Sequence, residues 1–177
     1  MKATWLLFGL LAISPAAPKT ASAETPEQAF SGRIVTSAKR FPQSAKSPSA
    51  YTSLIRKQAQ TAFSEDKTDH TWTIYFAAFL RSPLNDVEYI MKFYELSGNG
   101  QQLLATSENF NDIRGQKSIV SKIKLDKRQM GVNKEVLMTL ENKGKIYATT
   151  RFKLLGEGEK FTGKVSFSEA EAQGLEE

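Results

Sequence analysis

The chain has 177 residues, a formal net charge of +5 at pH 7, one His and no Cys. Without Cys it cannot form a thiolate nucleophile, a Cys-ligated zinc site or a Cys-ligated haem, and the single His70 excludes a metal site that needs two His ligands. A mildly basic charge does not by itself indicate nucleic acid, so we expect no nucleic-acid partner.

The first residues of the chain, 1–23, carry the pattern of a secretory signal peptide. Lys2 supplies the positive start, residues 5–13 form an apolar run, and residues 21–23 fit the small-x-small cleavage rule. The run is too short for a transmembrane helix, which needs about 20 residues. No later stretch is long and apolar enough to cross a membrane, so we expect cleavage before Glu24 and no transmembrane segment in the mature chain. Export and the absence of Cys together favour a bacterial periplasmic or secreted protein.

The mature chain is predicted to begin with a polar lead and a first strand over residues 32–41. Ser47 and Pro48 are typical of a helix start, with Ser as the N-cap and Pro in the first turn. Apolar residues then recur at helical spacing as far as residue 63. This spacing predicts an amphipathic helix over 48–63 that packs on the sheet rather than on a membrane.

The segment from Thr71 to Leu80 is apolar or aromatic on both of its alternating faces. Its β-branched and aromatic content favours a strand over a buried helix, and such a strand is typically central and covered on both sides. A second alternating segment runs from Val87 to Leu96, after a connection at 82–86 that is rich in turn formers. We predict that the two segments pair as a hairpin and nucleate the core.

Further alternating segments follow, separated by turn-rich connections. They are Gln101–Ser107, Ser118–Leu125, Val136–Leu140, Lys145–Leu155 and Lys160–Phe167. Because no βαβ pattern repeats, a parallel sheet is not expected. The predicted fold class is all-β, an antiparallel β-sandwich of about eight strands with one N-terminal amphipathic helix; the alternative is a meandering β-barrel. Residues 24–167 would form this single domain, and residues 168–177 a flexible acidic tail.

No motif in the chain predicts a catalytic site. There is no Gly-x-Ser-x-Gly nucleophile elbow, and His70 lies in a polar loop whose composition already explains it. The neighbouring carboxylates Glu65, Asp66 and Asp69 lack the spacing of an EF-hand loop, so a surface loop is favoured over a cation site. We therefore expect no enzyme activity, no cofactor and no bound metal.

A run of bases over residues 114–134 is the distinctive feature of the sequence. Its only acid is Asp126, and its bases are Arg114, Lys117, Lys122, Lys124, Lys127, Arg128 and Lys134. A patch of this kind suits an anionic partner such as lipid headgroups, an acidic cell-wall polymer or an acidic protein. The alternative is a solvated face on which Lys protects an edge strand from pairing.

Two loops, Glu108–Gln116 and Asp126–Asn133, are predicted to form a contact surface together with these bases. Phe110 and Met130 are the apolar residues expected at the loop tips. The alternative for both side chains is a place in the core.

These features indicate an exported, non-catalytic binding or adaptor module of the bacterial cell envelope. Its partner would be an envelope protein or an anionic polymer or headgroup. The alternative is a periplasmic carrier of an apolar or lipid-like ligand, held in a barrel-like pocket. The pocket would be lined by aromatic residues that otherwise fill a core, namely Trp72, Tyr75, Phe76, Phe79, Tyr89 and Phe93.

Overall fold

The computed structural model describes residues 24–97 and 100–157. The predicted signal peptide at 1–23, the predicted strand at 160–167 and the predicted tail at 168–177 lie outside the described residues. In chain order the elements are α1 (Pro26–Ala29), β1 (Arg33–Ser37), α2 (Pro48–Gln58), β2 (Ala62–Ser64), β3 (Thr71–Leu84), β4 (Glu88–Ser97), β5 (Gly100–Phe110), β6 (Gln116–Asp126), α3 (Lys127–Met130), β7 (Lys134–Asn142) and β8 (Lys145–Leu155). None of the helices in the described ranges has both the length and the hydropathy needed to span a bilayer.

The strands form one sheet that curls into a half-barrel, which confirms the all-β fold class. Its spatial order is β5-β4-β7-β8-β1-β3-β6, and the short β2 also pairs with β8. Neighbours are antiparallel except that β1 and β2 run parallel to β8, so the sheet is mixed. One continuous curled sheet corresponds to the barrel-like alternative more closely than to two stacked sheets.

Strand β3 is buried on both faces, as its sequence predicts. Trp72 and Phe76 point into the half-barrel and belong to the main core. Phe79, on the opposite face, packs with Phe30 and Ile55 beneath the helices α1 and α2. The two aromatic faces of this strand therefore tie the helical layer to the interior of the sheet.

The predicted hairpin between β3 and β4 is wrong. β3 pairs with β1 and β6, whereas β4 pairs with β5 and β7. The pairing of β3 becomes irregular between Phe79 and Leu84, and the chain then crosses to the opposite wall of the half-barrel. Phe76 and Phe93 meet in one core across the interior. Alternation reveals which face of a strand is apolar, but two apolar faces can meet across a core as well as side by side.

Helix α2 begins as predicted but ends earlier. The Ser47 hydroxyl accepts a hydrogen bond from the Ala50 amide at 3.2 Å, which confirms the N-cap. The helix ends at Gln58 because Ala59 has extended dihedral angles (φ −56°, ψ 128°), so the helix predicted over 59–63 is wrong. Phe63 lies instead in β2, where its ring meets Phe152 edge to face at 5.7 Å. Burial of that ring outweighs the weak helical preference of the segment.

Strand β1 is also shorter than the predicted strand, since it ends at Ser37. Phe41 lies beyond it in a connection, yet its side chain is 1% exposed. Phe41 packs with the outer cluster under the helices, so burial rather than strand pairing explains this apolar residue.

Candidate functional site

The connections between strands gather at two ends of the half-barrel. Strands β3, β5 and β7 run toward one end and β4, β6 and β8 run away from it. We call this end the loop rim, formed by residues 81–88, 110–117 and 142–145. We call the other the helix end, formed by residues 65–70, 126–133 and 156–157.

The two loops predicted to share one contact surface lie at opposite ends. Residues 108–116 reach the loop rim, and residues 126–133 lie at the helix end. The eleven residues of β6, at about 3.3 Å per residue, place them roughly 35 Å apart. The two loops therefore cannot contact one small partner together.

The connection between β5 and β6 is held firmly at the loop rim. The Asn111 amide donates to the Val87 carbonyl at 2.6 Å, and the Gly115 amide donates to the Leu84 carbonyl at 2.6 Å. Gly115 has φ +79°, a conformation that favours glycine. Between these bonds the connection leaves two large apolar side chains in water: Phe110 is 72% exposed and Ile113 63% exposed.

Bases outnumber acids around these two side chains. The bases of the loop rim are Arg81, Arg114, Lys117, Lys143 and Lys145, and its acids are Asp86, Glu88 and Asp112. Lys143 Nζ lies 2.9 Å from Asp86 Oδ2, and the hydrogen bond from Lys143 is the main reason that the pKa of Asp86 falls to about 2. Lys145 Nζ donates to Ser82 Oγ at 3.0 Å. The Lys143–Asp86 pair is neutral as a unit, and the four other bases outnumber the two other acids, so the loop rim has a net positive charge.

The predicted run of bases is spread along the molecule rather than gathered in one patch. Arg114 and Lys117 lie at the loop rim, Lys122 and Lys124 are exposed along β6, Lys127 and Arg128 lie at the helix end, and Lys134 begins β7. Three of them are taken up in ion pairs: Lys124 with Asp69 at 2.7 Å, Lys127 with Glu65 at 3.0 Å and Lys134 with Glu95 at 2.6 Å. Within the described ranges, no carboxylate lies within 4.0 Å of the side-chain nitrogens of Arg114, Lys117, Lys122 or Arg128.

The two predicted loop-tip residues have opposite environments. Phe110 is exposed at the loop rim, whereas Met130 is 0% exposed and belongs to the main core. Helix α3 is a single turn, and it directs Met130 inward to close the helix end of the core. As folded, the Met130 side chain is therefore not part of a contact surface.

The sequence interpretation missed part of the loop rim. Ile113 was detectable, because it is an isolated apolar residue between Asp112 and Arg114 in a polar loop. Lys143 and Lys145 were not, because they reach the loop rim only through the pairing of β7 with β4. Successive strands from β3 to β8 alternate in direction, so alternate connections share an end, but which of these connections lie side by side depends on the spatial order of the strands.

At the helix end, charged groups tie the chain together. The Glu65 side chain is 5% exposed; its Oε1 lies 2.8 Å from His70 Nδ1 and accepts from Lys127 Nζ at 3.0 Å. The hydrogen bond with His70, supported by Lys127, lowers the pKa of Glu65. Lys127 also donates to the Glu157 carbonyl at 2.9 Å, so one lysine joins three segments.

The carboxylates near His70 do not converge on a cation site. Asp69 is paired with Lys124, and Asp66 Oδ1 accepts from the Thr68 amide at 2.9 Å. The described part of the chain contains no group of three or more side chains arranged to hold a metal ion. His70 itself has a 67% exposed side chain.

The interior of the half-barrel is filled by side chains. Trp72, Phe76, Phe93 and Phe152 are each 1% exposed, and Trp72 Nε1 donates to the Leu155 carbonyl at 3.0 Å. Of the aromatic residues predicted to line a pocket, Tyr75 and Phe79 do not face the interior. Phe79 packs under the helices, and Tyr75 lines an outer groove of about 310 Å³ beside Arg40 and Lys122.

No protein-family model matches the sequence, and no curated protein is similar enough to count as a relative. Function is therefore inferred from the residues of the loop rim themselves.

Proposed function

We propose that the protein is an exported, non-catalytic binding module of the bacterial cell envelope that contacts its partner through the loop rim. The observation that carries this proposal is the exposed pair Phe110 and Ile113, which backbone hydrogen bonds hold among five basic side chains. Exposed apolar side chains rimmed by polar groups are typical of interaction sites. A rigid connection also loses little conformational entropy when it binds.

The envelope assignment is supported by the signal-peptide pattern at residues 1–23. An exported protein with a positive loop rim would meet envelope proteins, acidic polymers and lipid headgroups. The carrier alternative needs an unfilled interior, and the burial of Trp72, Phe76, Phe93 and Phe152 favours the binding module instead.

The test is binding of the purified protein to fractionated bacterial envelope, measured by sedimentation with membrane and cell-wall fractions. The double variant Phe110→Ser/Ile113→Ser is expected to bind at least about tenfold more weakly, because it removes two exposed apolar side chains that binding to the partner would bury. The matched control is Leu54→Ser/Leu103→Ser, which removes two exposed leucines (39% and 51%) away from the loop rim. The control should bind as the unaltered protein does.

Equal binding by the two double variants would contradict the proposal, as would no binding to any fraction. Export has a separate readout, since mass spectrometry of the secreted or periplasmic protein should give an N-terminus at Glu24. A lipid that copurifies at one per chain, and that the loop-rim variant retains, would support the carrier instead.

A further inference from the structure

The exposed apolar pair at the loop rim is convex. Phe110 ends β5, Ile113 lies three residues later, and the hydrogen bonds at Asn111 and Gly115 hold the intervening chain against the β3–β4 connection. With 72% and 63% of their surfaces in water, the two side chains project from the molecule rather than line a groove. A projecting apolar pair suits a partner that can deform around it.

Charge is distributed unequally between the two ends. The loop rim has five bases against three acids. Glu27 of α1 lines a groove with Arg81 and Lys117, and Arg33 begins β1 opposite Phe79, so these two neighbours together add no net charge. The helix end has the acids Glu65, Asp66, Asp69, Asp126 and Glu157 against the bases Lys67, Lys127 and Arg128. The end that presents the apolar pair is therefore the positive end, and the opposite end is negative.

We propose that the loop rim docks on an anionic lipid bilayer, with Phe110 and Ile113 inserted between headgroups and the surrounding bases at the headgroup level. This inference rests on the proposed function and names its partner. Apolar side chains at a polypeptide tip enter the interfacial region of a bilayer, and each nearby Lys or Arg adds attraction to anionic lipids. A folded protein partner would need a matching cavity for the pair, whereas a fluid bilayer needs none.

The charge distribution also sets the orientation. The long axis of β6 would stand away from the bilayer, with Arg114 and Lys117 near the headgroups. Glu65 and Glu157 would lie at the far end, roughly 35 Å away along β6. An acidic end held beyond the Debye length of about 8 Å is not repelled by the anionic surface.

The first experiment is co-sedimentation with vesicles of phosphatidylcholine containing about one-third phosphatidylglycerol, at near-physiological salt. Phe110→Ser/Ile113→Ser should lower the partition coefficient at least about tenfold. Arg114→Gln/Lys117→Gln should lower it about tenfold at this salt and much less at about 1 M salt, where charges are screened.

Two matched control variants distinguish binding through the loop rim from nonspecific binding elsewhere on the surface. Lys122→Gln/Arg128→Gln removes the same charge elsewhere, and Leu54→Ser/Leu103→Ser removes exposed leucines elsewhere. Both should partition as the unaltered protein does. All proteins are made from the same full coding sequence, so residues before Glu24 affect every variant equally. Partitioning that is unaffected by loop-rim changes, or equal without phosphatidylglycerol, would overturn the inference.

Insertion can be seen directly with a fluorescent variant. Trp5 and Trp72 are common to every variant, and Trp72 is 1% exposed, so the fluorescence of Phe110→Trp minus that of the unaltered protein reports on the surroundings of residue 110 when anionic vesicles are added. We expect a blue shift and quenching by brominated lipid chains for Phe110→Trp, but not for Leu103→Trp on the same strand. If the protein binds native envelope fractions through the loop rim but no vesicles, the partner is a protein or polymer. The lipid inference would then be wrong while the proposed function stands.

Discussion

Glu141 is a carboxylate in β7 that is only 7% exposed. Its Oε1 accepts from Thr139 Oγ1 at 2.7 Å, and its Oε2 lies 2.7 Å from Lys92 Nζ. Burial acts to raise the pKa of Glu141, but hydrogen bonds from Lys92 and Thr139 and the charge of Lys92 outweigh it, so the pKa lies below 4.5. Because the folded pKa is below the unfolded one, ionised Glu141 stabilises the fold above about pH 4.5. That contribution is lost as the pH falls through the folded pKa.

At this residue scale, Glu141→Gln is expected to lower the free energy of unfolding by about 1–3 kcal/mol at pH 7, because Lys92 loses its charged acceptor. Near pH 3 the difference in the free energy of unfolding from the unaltered protein should be smaller, since the contribution of ionised Glu141 is lost as the pH falls from the unfolded pKa toward the lower folded pKa. Urea denaturation at the two pH values measures both effects. The control is Glu108→Gln on the exposed face of β5, which should stay within about 0.5 kcal/mol. An equal loss at both pH values would contradict the pKa argument.

At the scale of single elements, β3 joins two separate apolar clusters. Phe76 fills the interior and Phe79 fills the space beneath the helices, and each is 1% exposed. Phe76→Ala and Phe79→Ala should therefore each lower the free energy of unfolding by about 3–5 kcal/mol, measured by chemical denaturation. Leu103→Ala, at a 51% exposed position, should change it by less than about 0.5 kcal/mol. A small effect of Phe79→Ala alone would mean that the helical layer does not share the stability of the sheet.

The same strand shows how far sequence patterns reach. Two apolar faces in Thr71–Leu80 were enough to predict a central strand with cover on both sides. Each apolar side chain is stabilised by burial whichever strand covers it, so this feature can be predicted from the local sequence. The partner strands were not predictable, since β3 pairs with the distant β1 and β6 and not with the adjacent β4. The residues of the loop rim also include some that the sequence predicts and some that it does not. Phe110 was predicted from local composition, whereas its grouping with Lys143 depends on long-range strand pairing.

At the scale of the whole molecule, the sheet consists of two antiparallel groups, β5-β4-β7-β8 and β1-β3-β6. They are joined where β1 meets β8 through one residue pair, Arg33 with Thr149, supported by the short β2. The Thr149 amide donates to the Gly32 carbonyl at 3.1 Å, and the Lys153 amide donates to the Thr61 carbonyl at 2.8 Å. This joint has fewer backbone bonds than the pairing of β7 with β8 on the other edge of the same strand.

We expect hydrogen exchange to detect this difference. The Thr149 and Lys153 amides should exchange through openings that need less free energy than those exposing the amides bonded between β4 and β7. Native-state exchange followed by NMR over increasing urea measures each opening. Uniform protection across β7 and β8 would show that the sheet opens only as one unit.

The pairing of β1 with β8 also affects the order in which parts of the chain can fold. Arg33 and Thr149 stand near opposite ends of the described chain, so the loop that must close to bring them together is among the longest the molecule contains. Contacts between such distant residues form late, and they make folding slower. Closing the long loop costs conformational entropy before the contact contributes any stabilisation. A growing polypeptide that already includes β1 and β3 must wait for β8 while the edge of β1 has no partner. During that interval the exposed edge invites pairing with other chains, so the rate at which the last strand arrives governs how much protein aggregates.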